Sequence, residues 1–339
     1  MSRKVILLFL FIAICRLVKS QDIHFSDYNS SPVNLNPSTT AHFIGNYRYT
    51  LNYRWQYGTI TVPYQTFSAS TEIKLDADKR KMPPLGTGFL FNYDFTGDSK
   101  YTSYQIGIPL AYHHKYNSGK SRFSMGFMPC FVVNQIDADK LKFPDQFVYS
   151  VYNQSIPTKD IIPGRSKFFI SMVVALNHTL IFSNKGVWNI GISLANVNKP
   201  TVSFYKNKDS KLNRRFSYMT KYDHPITTDF HVEPQILTQT QGSYKEYVFG
   251  LRIIHYIDNY TIPMIKYGLS FRSRENDALI FHLGFNYKGY LVGLNYDMNL
   301  SDLSEVSNGV GAFEVSLQYV YSRRLIPHKR EAMKCPTNL

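Results

Sequence analysis

The chain has 339 residues, with 38 Lys and Arg against 24 Asp and Glu, a net charge of +14, and 15% aromatic residues. That aromatic content excludes a disordered chain, three Cys exclude a disulfide scaffold, and no window after residue 20 reaches the ~20 apolar residues of a membrane-spanning helix. The aromatic balance is skewed, 26 Tyr and 24 Phe against 2 Trp, as in chains with many strands and two membrane interfaces.

Residues 1–20 read as a secretory signal peptide. Arg3 and Lys4 supply the positive start, and Val5 to Cys15 is an unbroken apolar run too short to span a bilayer. Ser20 precedes Gln21, and cleavage is expected between them. Cys15 does not make a lipoprotein, because Ile14 stands where a small residue is needed. Removing the segment takes away Arg3, Lys4, Arg16 and Lys19 and no acid, which leaves +10. Cys130 and Cys335 remain; one lies in a strand-like stretch and one in the tail, and no bridge is expected between them.

Residues 21–45 are polar, contain Pro32 and Asn36-Pro37, and show no alternation. They read as a leader or as a plug folded into the lumen. From Tyr47 the pattern changes. Tyr47, Tyr49, Leu51, Tyr53, Trp55 and Tyr57 fall on one face, and Arg48, Thr50, Asn52, Arg54 and Gln56 on the other. Period two with one apolar-aromatic face is a strand, and its length suits a tilted membrane strand. The pattern returns at 67–75, 87–95, 104–112, 123–133 (less cleanly), 168–176, 188–194, 230–236, 247–253, 265–271, 279–287, 290–298 and 313–321. Turn signals such as Asn117-Ser118-Gly119 and Lys288-Gly289 separate them. These make thirteen strands. Two gaps, about 134–167 and 196–228, hold one further candidate each, Phe143 to Tyr152 and Phe216 to Tyr222.

A soluble sandwich also alternates. Here, however, the polar faces are rich in Ser, Thr, Asn, Gln and Arg, and the apolar faces end in aromatic girdles. In hydrocarbon an open sheet edge leaves unpaired N–H and C=O groups, so the sheet must close. Bacterial barrels usually have an even strand count. The expectation is all-β: an antiparallel transmembrane β-barrel of fourteen strands over residues 46–322, followed by a basic tail at 323–339. Lumen-facing Arg48 and Arg54 are expected to pair with acids such as Glu72 across the first hairpin.

The same residues resemble the PorP/SprF family of the Bacteroidetes type IX secretion and gliding machinery. The likeness starts with QDIHFSDYNSSPVNLNPSTTA, including Leu35-Asn36-Pro37, and continues through NYRYTLNYRWQY, YQTFSAS and FNYDFTGDSKYTSYQIGIPLAYHHKY. It ends with LVGLNYDMNLSDLSEVSNGVGAFEVSLQYVY and Cys335-Pro336. Ser38-Thr39-Thr40 depart from the small apolar residues usual after Asn-Pro. The resemblance implies a non-enzymatic protein of the bacterial outer membrane. Its partner would be a secreted adhesin-like substrate, exported or anchored at the surface through a C-terminal sorting domain. Translocon or periplasmic ring components are further implied partners. The alternative is a general or substrate-specific porin.

No cofactor or metal site is expected. Adjacent His113 and His114 point to opposite faces of a strand, which makes a poor chelating pair. Asp76/Asp78 and Asp137/Asp139 lack the Gly and distal Glu of a calcium loop. No G-x-S-x-G, H-E-x-x-H or Walker pattern occurs. The basic tail has the composition of a nucleic-acid patch, but export favours periplasmic partners or anionic headgroups of outer-membrane lipid.

Overall fold

The computed structural model describes residues 23–322, apart from 24, 61, 76–83, 98–99, 138–140, 150, 160–162, 165, 167, 205–209, 274–277, 302–303 and 305–306. Residues 1–20, the cleavage pair Ser20 and Gln21, the first Asp pair, the basic tail and Cys335-Pro336 therefore lie outside the described residues.

The strands are β1 (Tyr47–Gln56), β2 (Tyr64–Leu75), β3 (Leu85–Thr96), β4 in two parts (Tyr101–Gly107 and Leu110–Tyr116), β5 (Ser121–Gln135), β6 (Phe169–Ile181) and β7 (Val187–Ala195). They continue with β8 (Arg215–Pro225), β9 (Phe230–Gln241), β10 (Tyr244–Tyr256), β11 (Met264–Ser273), β12 (Ala278–Tyr287), β13 (Tyr290–Asn299) and β14 (Val310–Tyr321). Each pairs antiparallel with its sequence neighbours, and β14 pairs with β1 from Tyr47↔Tyr321 to Gln56↔Ala312. The sheet is thus a closed barrel of fourteen strands, which leaves no edge to face hydrocarbon. No helix among the described residues is long and apolar enough to cross a membrane.

The fourteenth strand is β8, which contains Phe216 to Tyr222. The other candidate forms only a two-residue ladder, Phe147–Val148 with Val151–Tyr152, separate from the barrel. Pro144 starts a 3-10 turn there and supplies no N–H to a ladder. Strand β4 is interrupted at Ile108-Pro109 for the same reason, yet Tyr104, Ile106, Leu110 and Tyr112 keep one outward phase across the break.

Alternation sorts every strand into two faces. On β1, Tyr49, Leu51 and Tyr53 are exposed outward, whereas Arg48, Thr50, Asn52 and Arg54 are buried inward. The outer surface is an apolar belt that includes Phe89, Phe249, Leu251, Leu269 and Leu283. A water-facing surface of this kind would be an aggregation hazard; against lipid tails it is the stable arrangement.

Both ends of the barrel chain meet at one rim, where the Asn46 N–H donates to Tyr321 O at 2.9 Å. Because the strands alternate in direction, that terminal rim also carries the turns at 117–120 and 288–289. The far rim carries the two longest connections, 136–168 and 196–214.

Candidate functional site in the barrel lumen

Residues 25–43 lie inside the barrel. Phe25, Tyr28, Val33, Leu35, Asn36, Ser38, Thr40, His42 and Phe43 are all buried. The segment is a chain of three short turns, each started by its own side chains. Asp27 accepts the Asn29 N–H at 3.0 Å and opens the 3-10 turn Tyr28–Ser30. Pro32, with its φ preset, opens the single helical turn Pro32–Leu35. Asn36 accepts the Ser38 N–H at 2.9 Å and opens Pro37–Thr39. Extended chain could not reach so many wall residues; a series of turns can.

The segment runs from the far rim to the terminal rim. At the far end, the Ser26 N–H donates to Glu314 at 2.8 Å and its hydroxyl to Asp297 at 2.8 Å. Arg252 donates to Asp27 at 2.6 Å. Midway, Asn34 and Asn92 exchange hydrogen bonds at 3.2 and 2.7 Å, and Asn29 donates to Gln235 at 2.7 Å. The Ser193 hydroxyl donates to Leu35 O at 2.7 Å. Near the terminal rim, the Ala41 N–H donates to Glu72 at 2.9 Å and Lys74 to Phe43 O. The wall is shaped for this passenger. A Cβ on Gly126 would stand 2.2 Å from Ser38 N, and one on Gly86 2.6 Å from Thr40 O. Only the absence of side chains lets the two backbones approach so closely.

Two ion-pair systems frame the segment. Arg48 grips Glu72 with two bonds, Nε–Oε1 at 2.6 Å and Nη2–Oε2 at 2.7 Å. They are direct cross-strand partners in the β1–β2 register. Arg54 does not join Glu72. It lies 3.1 Å from Asp297 and 3.8 Å from Glu314, its partner across the β1–β14 closure. Arg272 also reaches Asp297 at 3.1 Å. Burial raises the Asp27 carboxyl, but the Arg252 and His282 charges and the Arg252 and Asn29 hydrogen bonds outweigh it and hold the group at about 2.

Of the residues singled out in the sequence, Leu35, Asn36 and Pro37 sit at the centre of the inserted segment, with Asn36 fully buried and donating to Leu176 O at 3.1 Å. His113 points inward, bonded to Ser124 Oγ and Thr40 O at 2.8 Å each. His114, on the other face, stacks on Tyr116. Sequence reasoning missed Asp27, Arg252, Arg272, Asp297 and Glu314. The inward parity of the four strand residues was readable, but their partners depended on how the barrel closes, and Asp27 lies in the segment without alternation.

The interior is not uniformly polar. Leu90, Met128, Cys130, Val132, Phe169 and Val173 form an apolar sector that packs on Val33 of the inserted segment. Chemically, the lumen offers a wall of paired charges and amides around a bound peptide segment. Among the described residues, no group of three or more His, Cys, Asp or Glu is placed to hold a metal ion.

Comparison with known proteins agrees with this architecture. The family model described as "Type IX secretion system membrane protein PorP/SprF" matches residues 17–319. No curated protein matches the chain. Among solved structures, the CymD monoaromatic hydrocarbon channel is similar at 12% identity and a TM-score of 0.50, covering 90% of this chain and 95% of its own. The Pseudomonas putida toluene transporter TodX is similar at 10% identity and a TM-score of 0.50, covering 88% and 93%. At such identities the likeness is one of fold.

Proposed function

The chain belongs to the PorP/SprF family of type IX secretion system membrane proteins, and we propose that it acts in the outer membrane as a partner-binding barrel. In this reading it assists export of a secreted adhesin-like protein, or holds that protein at the cell surface, through the partner's C-terminal sorting domain. Its barrel fold and outer-membrane location follow from family and architecture together. Both are those of a secretion or channel membrane protein rather than an enzyme.

The observation that carries the reading is the occupied lumen. A general porin keeps an aqueous path open along its axis. Here residues 25–43 occupy that path and are fastened to the wall along their length. We read this segment as a plug and the barrel as a platform, with buried Arg48, Arg54 and Glu72 serving to hold the plug and wall together. We read the far rim as the outer face, because it carries the two longest connections and outer-membrane barrels have short periplasmic turns and longer extracellular loops. Loops 136–168 and 196–214 would then meet the secreted partner, and the terminal rim the periplasmic components. Purified protein in a planar bilayer is expected to show no stable conductance. A steady open channel without any partner would favour the porin instead.

A further inference from the structure

The seam between β8 and β9 is incomplete. Lys221 pairs with Gln235 and His224 with Val232, but Tyr222 and Asp223 have no ladder partner across this seam. The register is the same on both sides of the gap, so no residue is inserted and the pairing simply lapses. Pro234 stands opposite Tyr222 there and brings no N–H. On their other flanks the same residues pair normally, Tyr222 with Trp188 and Pro234 with Leu251. Proline in a sheet is ordinarily confined to edges, strand starts and bulges, and the middle of a strand in a closed barrel is none of these.

A groove of about 380 Å³ lies over this seam, on the outside of the barrel. Volumes of this order, about 300–1,000 Å³, are those of small-ligand sites. Its walls are Phe182, just after β6, and the outward residues Trp188, Thr220, Tyr222, Pro234 and Ile236 of β7, β8 and β9. Lys221 and Gln235 point into the lumen, so at these positions the floor is the strand backbone. The Thr220 hydroxyl accepts the Trp188 Nε1–H at 2.8 Å, and Phe182 meets Tyr222 edge to face at 5.9 Å between ring centres. The walls thus hold one another and leave an apolar, ring-lined channel between them.

The groove lies in the apolar belt, whose surroundings are lipid tails. Empty space there forfeits dispersion contacts on one side, and hydrocarbon holds no water to fill it. An occupant must be apolar, narrow and flexible. Phe182, Trp188 and Tyr222 lie next to the terminal rim, whereas Pro234 and Ile236 lie deeper along β9, so the groove runs from the interface into the belt as a lipid tail does. We propose that it is a lipid-binding site that holds one acyl chain of a glycerophospholipid, with the headgroup at the terminal rim. The choice of glycerophospholipid rests on the reading of that rim as periplasmic, since lipopolysaccharide occupies the outer leaflet. Flat parts of the belt exchange their lipids freely; a chain seated between rings is retained.

The test is native mass spectrometry of the full chain purified from its own outer membrane in mild detergent. One glycerophospholipid retained per barrel is expected. Pro234→Phe supplies the missing N–H and fills the groove with a ring, and Ile236→Trp fills it from the next outward position; both should lose the retained lipid. Leu269→Phe, on the belt outside the groove, should keep it. Heat-dependent gel mobility reports whether each variant is folded, and the natural chain alone shows whether a lipid is held. A barrel without bound lipid, or folded filled variants that retain it as the natural chain does, overturns the proposal. A retained lipopolysaccharide, lost from the filled variants, overturns the glycerophospholipid assignment and with it the reading of this rim as periplasmic, and leaves the closed lumen to the conductance measurement.

Discussion

Arg48 and Glu72 lie 3% and 0% exposed, bonded twice to each other and once to the inserted segment. Breaking such a pair leaves a bare charge out of water, which typically costs about 3 kcal/mol or more. Glu72→Gln is expected to lose about that much in urea unfolding from lipid vesicles, whereas Arg48→Met with Glu72→Met should lose less than either single change; equal and additive losses would deny the coupling. This pair was legible because both residues belong to one hairpin and its register follows from the turn. The Arg54 pairing was not. Its partner Asp297 stands 243 residues away, and the contact exists only because β14 closes on β1. The Asp27–Arg252 bond gives a pH signature at the same scale. The carboxyl titrates lower in the folded chain, at about 2, than its ordinary 3.8. Its contribution is therefore complete above about pH 4 and lost as pH falls towards 2. The stability difference between the natural chain and Asp27→Asn should be constant from neutral pH down to about 4 and shrink below it, measured by unfolding at each pH.

Among the elements, the inserted segment and the wall it lies on are one unit. Gly126→Val would place a side chain where Ser38 and Pro37 run. The barrel ladder at that position faces no obstacle of its own, so the variant should still fold as a barrel but with the segment displaced. Ion conductance in planar bilayers, expected to be near zero for the natural chain, should rise in Gly126→Val; a silent, normally folded variant would mean the segment does not close the pore. The segment's position was only half legible. Absence of alternation before Tyr47 showed that no strand lies there, but nothing local says whether a polar stretch hangs below a barrel or enters it. Strand β5 was blurred in sequence for a physical reason. Met125, Phe127 and Phe131 face out, while Met128, Cys130 and Val132 face an apolar sector inside. Both faces are apolar, so period two fades. Phe143 to Tyr152 offers aromatic spacing too, yet Pro144 opens a 3-10 turn there and only the two-residue ladder Phe147–Val148 with Val151–Tyr152 follows it.

For the whole molecule, closure of fourteen strands, an apolar outer belt and a filled interior act together. Closure satisfies the backbone, the belt suits lipid, and the inserted segment packs against the inner wall. The count of strands was readable from spacing plus the even-number rule, whereas which connections share a rim was not, because that depends on which gap holds the fourteenth strand. What the fold leaves available for work is its two rims. The most direct test is purification of the tagged protein from its own outer membrane in mild detergent, with mass spectrometry of what accompanies it. A stoichiometric secreted protein retained through its C-terminal domain is the predicted result. A barrel that comes away alone and conducts ions steadily in a planar bilayer would contradict it.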